Sequence, residues 1–202
     1  MQKVVFREKE ITPSKVVCVG RNYVAHIEEL GNEIPDNMVL FNKPNSAISQ
    51  TLEYFSPTCR FEGELCLLIQ NGNIIGLGLG LDLTHASIQN TLKQKGLPWE
   101  RAKAFDGSAV LSPFIPFEGP LDKLSFTLYI NGLLVQKGDY SLMMYKPEQI
   151  IEEIQTFMKL EDNDIIMTGT PQGVGTYKKG DHFEMKLFSE KKLLLTSSWE
   201  AK

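Results

Sequence analysis

An α+β architecture, mostly strand with a few helices packed against it, is expected from three features of this 202-residue chain. Apolar runs of strand length recur at Lys15 to Val19, Gly63 to Ile69, Ile74 to Leu83, Ser125 to Ile130, Leu133 to Gln136, Asp164 to Thr168 and His182 to Leu187. Asn131-Gly132 between two of these runs has the chemistry of a type I′ hairpin turn, and Lys179-Gly180-Asp181 is a second turn, so the pairing is antiparallel. Three further segments carry helical spacing or helix caps instead.

Each element has its own reason. The first helix runs from Tyr23 to Leu30, with Asn22 as the expected N-cap and Gly31 behind it. In the strand that follows Glu62, Cys66 and Leu68 share one face while Leu65, Leu67 and Ile69 share the other, so the strand is buried on both sides. In the next strand Gly78, Gly80 and Asp82 share a face bare of other side chains, where backbone or a ligand is expected to approach. A helix from His85 to Lys95 stops at Gly96 before Pro98. Pro147 opens the last helix, whose stripe of Ile150, Ile151, Ile154, Phe157 and Met158 packs on the sheet.

Composition narrows the class of protein. Hydrophobic residues make up 42%, enough for the core of one domain over residues 1–202. A net charge of −4 without a basic block argues against nucleic acid as a partner. No apolar run reaches membrane-spanning length and the first residues are charged, so neither membrane nor signal peptide is expected and the location is read as cytoplasmic. Cys18, Cys59 and Cys66 lack metal or disulfide spacing and read as buried free thiols.

The acids carry the chemistry. Residues i and i+2 of a strand project from one face about 6.5 Å apart, so Glu62 and Glu64 aim two charges into one space. At an effective dielectric of about 20 they repel by roughly 2–3 kcal/mol, which a divalent cation turns into attraction. Asp82 completes a candidate metal site; the alternative is three ordinary surface acids. His26 and Glu29, three apart on a helix, place a carboxylate where it can orient an imidazole as general base, or else form a plain surface pair. The polar stretch from Asn32 to Asn37 suggests that this helix is a mobile lid. Thr168-Gly-Thr-Pro-Gln-Gly-Val-Gly175 offers hydroxyls and amides suited to a carboxylate, although a plain connection has the same composition. Lys103, in an apolar context after Trp99, suits a developing oxyanion, unless it is simply solvated.

Taken in order, Gly-Arg-Asn-Tyr-x-x-His-x-x-Glu, Phe41-x-Lys-Pro44, Glu-x-Glu, Asp82-Leu-Thr, Lys-Gly-Leu-Pro-Trp with Ala-Lys-x-Phe, and Thr-Gly-Thr-Pro-x-Gly-Val-Gly resemble the fumarylacetoacetate hydrolase family. The likeness is strongest to its short acylpyruvase and oxaloacetate decarboxylase members. It implies a mixed β-sheet rolled into a barrel-like structure with peripheral helices, in a homodimer. It further implies Mg²⁺ or Mn²⁺ on Glu62, Glu64 and Asp82, a lid dyad of His26 and Glu29, an active-site Lys103, and substrate contacts from Arg21, Gln89 and Thr170. One departure stands out: many short members carry an arginine where this chain has Ala86, with Ser87 next to it and His85 as a partial substitute.

The activity implied is metal-dependent hydrolysis of a C–C bond in an acylpyruvate-type β-diketo acid, releasing pyruvate. Oxaloacetate decarboxylation and 2-hydroxyhepta-2,4-diene-1,7-dioate isomerisation or decarboxylation use the same electron sink. A non-catalytic metabolite-binding module is the alternative outside enzymology, and the joint presence of His26, Glu29, Lys103 and the three acids speaks against it.

Overall fold

The computed structural model describes residues 1–31 and 33–202; Asn32, the first residue of the expected polar stretch of the lid, lies outside them. The chain opens with β1 (Val4–Phe6), β2 (Lys9–Ile11) and β3 (Lys15–Gly20), followed by α1 (Val24–Glu29), β4 (Val39–Pro44) and β5 (Ile48–Ser49). Its middle runs through β6 (Cys59–Phe61), β7 (Gly63–Gln70), β8 (Asn73–Asp82), β9 (Thr84–His85), α2 (Ala86–Gln94), α3 (Glu100–Lys103), β10 (Ala109–Leu111) and β11 (Ile115–Pro116). The last third holds β12 (Leu124–Ile130), β13 (Leu133–Asp139), α4 (Pro147–Gln155), β14 (Ile165–Met167), β15 (Gly175–Thr176), β16 (His182–Ser189) and β17 (Lys192–Glu200).

The main sheet follows the order β4-β3-β14-β7-β8-β10-β5, with β11 also on β8. It is mixed: β14 lies parallel to β3 and β10 parallel to β5, while the remaining pairs are antiparallel. The sheet forms a half-barrel. A second, antiparallel sheet has the order β13-β12-β16-β17. Between the two sheets lies the larger core, where Leu65, Leu67, Leu77, Leu79 and Leu81 meet Phe126, Leu128, Phe183, Met185 and Leu187. On the other face of the main sheet, Val16, Cys18, Cys66, Leu68, Leu111, Phe114 and Met167 form a smaller core. Both faces of β7 are therefore buried, and every residue from Gly63 to Ile69 is buried, as its doubly apolar pattern implies.

Several local readings hold and several need correction. Asn131 and Gly132 take φ of 51° and 80°, the left-handed pair that a type I′ turn requires. Gly31 and Gly96 close their helices at positive φ. The three cysteines are free and buried. Asn22, however, caps nothing: Tyr23 is the N-cap of α1, and the Asn22 side chain is fully buried, donating to Tyr145 O and Thr168 O and accepting from Tyr145 N. That makes it a bracket between the start of α1 and two distant segments. Phe157 lies beyond the end of α4 and is 61% exposed, so it leaves the stripe, whereas Met158 is partly buried against the larger core. The glycines of β8 do not admit a ligand. A Cβ at Gly78 would meet Phe114 at 2.9 Å, and one at Gly80 would meet Cys66 Sγ at 2.8 Å, so these positions are bare because the smaller core fills them.

Candidate active site

Glu64 and Asp82 stand at the rim of that smaller core, where β7 begins and β8 ends. Register places Glu64 opposite Gly80, and Asp82 N donates to Glu62 O, so the sheet itself brings the acids together. One oxygen from each of Glu62, Glu64 and Asp82 lies within 4.8 Å of the others. Glu64 and Asp82 are each 1% exposed.

Two lysines enter the same space. Lys103, at the end of α3, donates to Asp82 Oδ2 at 2.7 Å and to Glu62 Oε2 at 2.9 Å, with its ammonium 5.1 Å over the Phe41 ring. Burial alone would lower its pKa, but the charges of Asp82 and Glu62 raise it, which favours the ammonium form of Lys103. Lys43 on β4 is fully buried, with Nζ 2.8 Å from Asp82 Oδ1, and also donates to the backbone carbonyls of Leu83 and Lys103. Sequence reasoning assigns Lys43 no role; only its place in the Phe41-to-Pro44 motif singles it out.

The acids are unequally satisfied. Glu62 accepts from Thr84 Oγ1 at 2.7 Å as well as from Lys103. Its burial favours the neutral form, yet Lys103, then His26 and these hydrogen bonds, hold its pKa below the ordinary value. Glu64 receives the Gly169 amide at 2.7 Å, and burial, followed by the charges of Asp82 and Glu62, pushes its pKa well up. Asp82 Oδ1 is buried without a hydrogen bond, its close charged neighbour being the Lys43 ammonium in an ion pair at 2.8 Å. Three hard oxygen donors, one orphaned oxygen and one carboxylate short of positive charge fit a divalent cation of the Mg²⁺ or Mn²⁺ kind.

On α1, His26 is 5% exposed and its Nδ1 lies 3.4 Å from Glu29 Oε2. Glu29 in turn accepts the Gly173 amide at 3.0 and 3.1 Å, which ties α1 to the glycine-rich loop. A proton on Nδ1 facing the carboxylate leaves the Nε2 lone pair for chemistry.

Other expected contacts fall differently. The Thr170 hydroxyl donates to Gly63 O and accepts from Gln136 Nε2, so its single proton braces β7 and is not offered to a ligand. Thr168 likewise donates to Leu65 O. The hydroxyls of Thr168 and Thr170 thus make hydrogen bonds within the fold, and Gly169 N and Gly173 N donate to Glu64 and Glu29. Gln136, absent from the sequence-based reading, is 1% exposed and also receives the Gly63 amide on Oε1. Gln89 is half-buried on α2. Arg21 sits at φ 58° in the turn before α1 and donates to Glu33 O at 3.4 Å. His85 stacks on Phe105 at 4.0 Å between ring centroids, and burial, then Lys43, lowers its pKa, so it does not supply the cation missing at Ala86.

The sequence profile of the fumarylacetoacetate (FAA) hydrolase C-terminal family matches residues 15–194. The chain belongs to the fumarylacetoacetate hydrolase family. An oxaloacetate tautomerase of Escherichia coli (strain K12) is 38% identical over 187 residues, 83% of this chain and 85% of that protein. A mitochondrial oxaloacetate tautomerase of Homo sapiens is 36% identical over 187 residues, covering 84% of this chain and 85% of that protein. Among solved structures, fumarylpyruvate hydrolase from Pseudomonas aeruginosa, in complex with Mn²⁺ and pyruvate, superposes with a TM-score of 0.88 at 26% identity, over 99% of this chain and 95% of that one. No helix among the described residues is long and apolar enough to cross a membrane. Family members are enzymes acting on small keto acids, and the acidic trio of this member suits a divalent metal.

Proposed function

We propose that this family member interconverts the keto and enol forms of oxaloacetate, with Glu62, Glu64 and Asp82 as metal ligands and His26 as the proton-transfer residue. The observation that carries the reading is Lys103, favoured as an ammonium by two of the three acids. Glu62, Glu64 and Asp82 would hold a divalent cation, which would supply Lewis-acid polarisation of the 2-keto oxygen.

The chain's own groups do the rest. His26 Nε2 removes one proton from carbon 3 of the keto form, the C–H electron pair becomes the C2–C3 double bond, and negative charge gathers on the 2-oxygen. Lys103 offers that oxygen a preorganised positive charge. Protonation of the oxygen by solvent completes the enol, and release of the His26 proton resets the site. Glu29 fixes the tautomer of His26 and, through Gly173, ties α1 to the glycine-rich loop. The names of the 38%- and 36%-identical relatives support this reaction over C–C cleavage.

Hydrolysis of an acylpyruvate is the second reading, favoured by a His–Glu dyad able to activate water and by the name of the Pseudomonas aeruginosa neighbour. One set of assays separates the two. Protein loaded with Mg²⁺ or Mn²⁺ is given oxaloacetate, the enol is followed by its ultraviolet absorbance, and pyruvate and carbon dioxide are measured in parallel. Fast keto–enol equilibration without pyruvate is expected. Pyruvate appearing as fast as the enol is lost would make the protein a decarboxylase, and faster cleavage of acetylpyruvate would make it a hydrolase. His26→Ala is expected to slow equilibration by about 10²–10⁴-fold while Mg²⁺ affinity is kept; undiminished turnover would remove His26 from the mechanism.

A further inference from the structure

Lys93 is a half-buried cation with no task in the mechanism above. It lies seven residues after Ala86 on α2, hence on the same face of the helix. Its ammonium stands 5.1 Å over the ring of Trp99; Trp99 is 6.1 Å from Phe41, centroid to centroid, and Phe41 carries the ammonium of Lys103 at 5.1 Å. Two ammonium groups thus stand along one aromatic wall, Lys103 against the acids and Lys93 farther out. Lys103 has two carboxylates, whereas no carboxylate lies within ion-pair distance of Lys93 among the described residues. Burial, and next the charge of Arg21, lowers the pKa of Lys93, with Lys103 and Arg60 adding to the effect and Glu62 opposing it. The charges that reach Lys93 are therefore mostly positive.

Oxaloacetate has a carboxylate next to the keto group and another at the far end. The first belongs with the keto oxygen at the acidic trio; the second needs a cation some distance along the site. Building on the proposed function, we infer that Lys93 binds the far carboxylate and so makes the site selective for 2-oxo dicarboxylates over monocarboxylates of the same length. An ammonium partly shielded from water and steadied on a tryptophan face provides a charge-assisted hydrogen bond to that group.

The test uses unreactive ligands, so that it does not depend on turnover. Affinities of the Mg²⁺-loaded protein are measured by calorimetry for malate, for 2-hydroxybutyrate, which has a methyl group in place of the far carboxylate, and for oxalate, which has no far group. Wild type is expected to prefer malate to 2-hydroxybutyrate by roughly tenfold or more. Lys93→Met should erase the preference and leave oxalate affinity unchanged, Lys93→Arg should keep most of it, and Lys95→Met, on the exposed end of the same helix, should keep all of it. A preference that survives Lys93→Met overturns the inference. So does a wild type without preference, or a Lys93→Met variant that loses oxalate in parallel, since that would mark Lys93 as merely structural. If the preference depends on Lys93 but oxaloacetate is not tautomerised, the reaction assignment fails and the dicarboxylate site stands.

Discussion

Asp164 and Asp82 both lie at ends of strands of the main sheet, both are buried, and both sit beside lysine, yet their surroundings differ in one respect. Asp164, just before β14, accepts from Ser14 N, Ser14 Oγ, Lys15 N, Lys15 Nζ and Glu161 N, so donors surround both of its oxygens. Asp82, at the end of β8, has one hydrogen bond, on Oδ2, while Oδ1 has only the Lys43 ammonium at 2.8 Å in an ion pair, and two further acids lie within ligand distance. The first carboxylate is complete within the fold. The second leaves coordination capacity to be filled from outside, and burial by itself does not tell the two apart.

The largest expected effect tests the complete region. Asp164→Ala strands several buried amides and the ammonium of Lys15, and should destabilise the protein by about 3–5 kcal/mol. Urea unfolding is expected to show the same loss with and without Mg²⁺; a loss that Mg²⁺ repairs would place Asp164 with the functional acids after all.

Glu64→Gln probes the other region and should behave in the opposite way. The amide retains an oxygen for Gly169 N and cannot ionise beside the other acids, so the metal-free variant should unfold at or above the wild-type denaturant midpoint. What it should lose is the stabilisation by Mg²⁺, about 2.7 kcal/mol at a hundredfold excess over Kd. A Glu64→Gln variant as unstable as Asp164→Ala would erase the contrast. The pH dependence follows with a definite sign. Burial and then the neighbouring acids raise the pKa of Glu64 above the ordinary 4.5, so folding of the metal-free protein retains a proton there. Its contribution to stability is full below pH 4.5 and is lost as pH rises through the raised value. Over the same window Mg²⁺ must displace that proton, so its affinity rises with pH. Glu64→Gln should flatten both trends.

How far this contrast was legible in the sequence depends on where the partners lie. The acids were readable because Glu62 and Glu64 share a strand period and Asp82 ends an obvious strand. Lys43 was not, since its partner Asp82 is 39 positions away and a lysine before a proline looks solvated. The glycine face of β8 is hard to read for a similar reason: Cys66 on β7 and Phe114 in the segment just before β11, which fill it, are distant in sequence from Gly78 and Gly80. The strand β17 escaped because Lys-Leu-Leu-Leu-Thr-Ser-Ser-Trp-Glu lacks alternation. It is an edge strand with Leu193 50% exposed, so burial imposes little pattern on it. The mixed, rolled form of the sheet came from family resemblance alone, because the parallel pairings β14 with β3 and β10 with β5 join segments that no local signal connects.

The smallest expected effect lies where a complete polar group supports the incomplete ones. Gln136 accepts the Gly63 amide at 2.9 Å and donates to Thr170 Oγ1 at 2.8 Å and Pro171 O at 2.9 Å, thereby fixing the residue between Glu62 and Glu64. Gln136→Ala leaves a buried amide unpaired and should cost about 1–3 kcal/mol. Because Gly63 sets the spacing of the two glutamates, Mg²⁺ affinity should fall too, but by less than in Glu64→Gln, which removes a ligand outright. Gln136→Glu keeps the acceptor for Gly63 while adding a charge near the acids, so it should lose more Mg²⁺-free stability than it loses Mg²⁺ affinity. If Gln136→Ala lowers stability and leaves Mg²⁺ affinity untouched, the acids hold their spacing without this brace, and the two regions are independent.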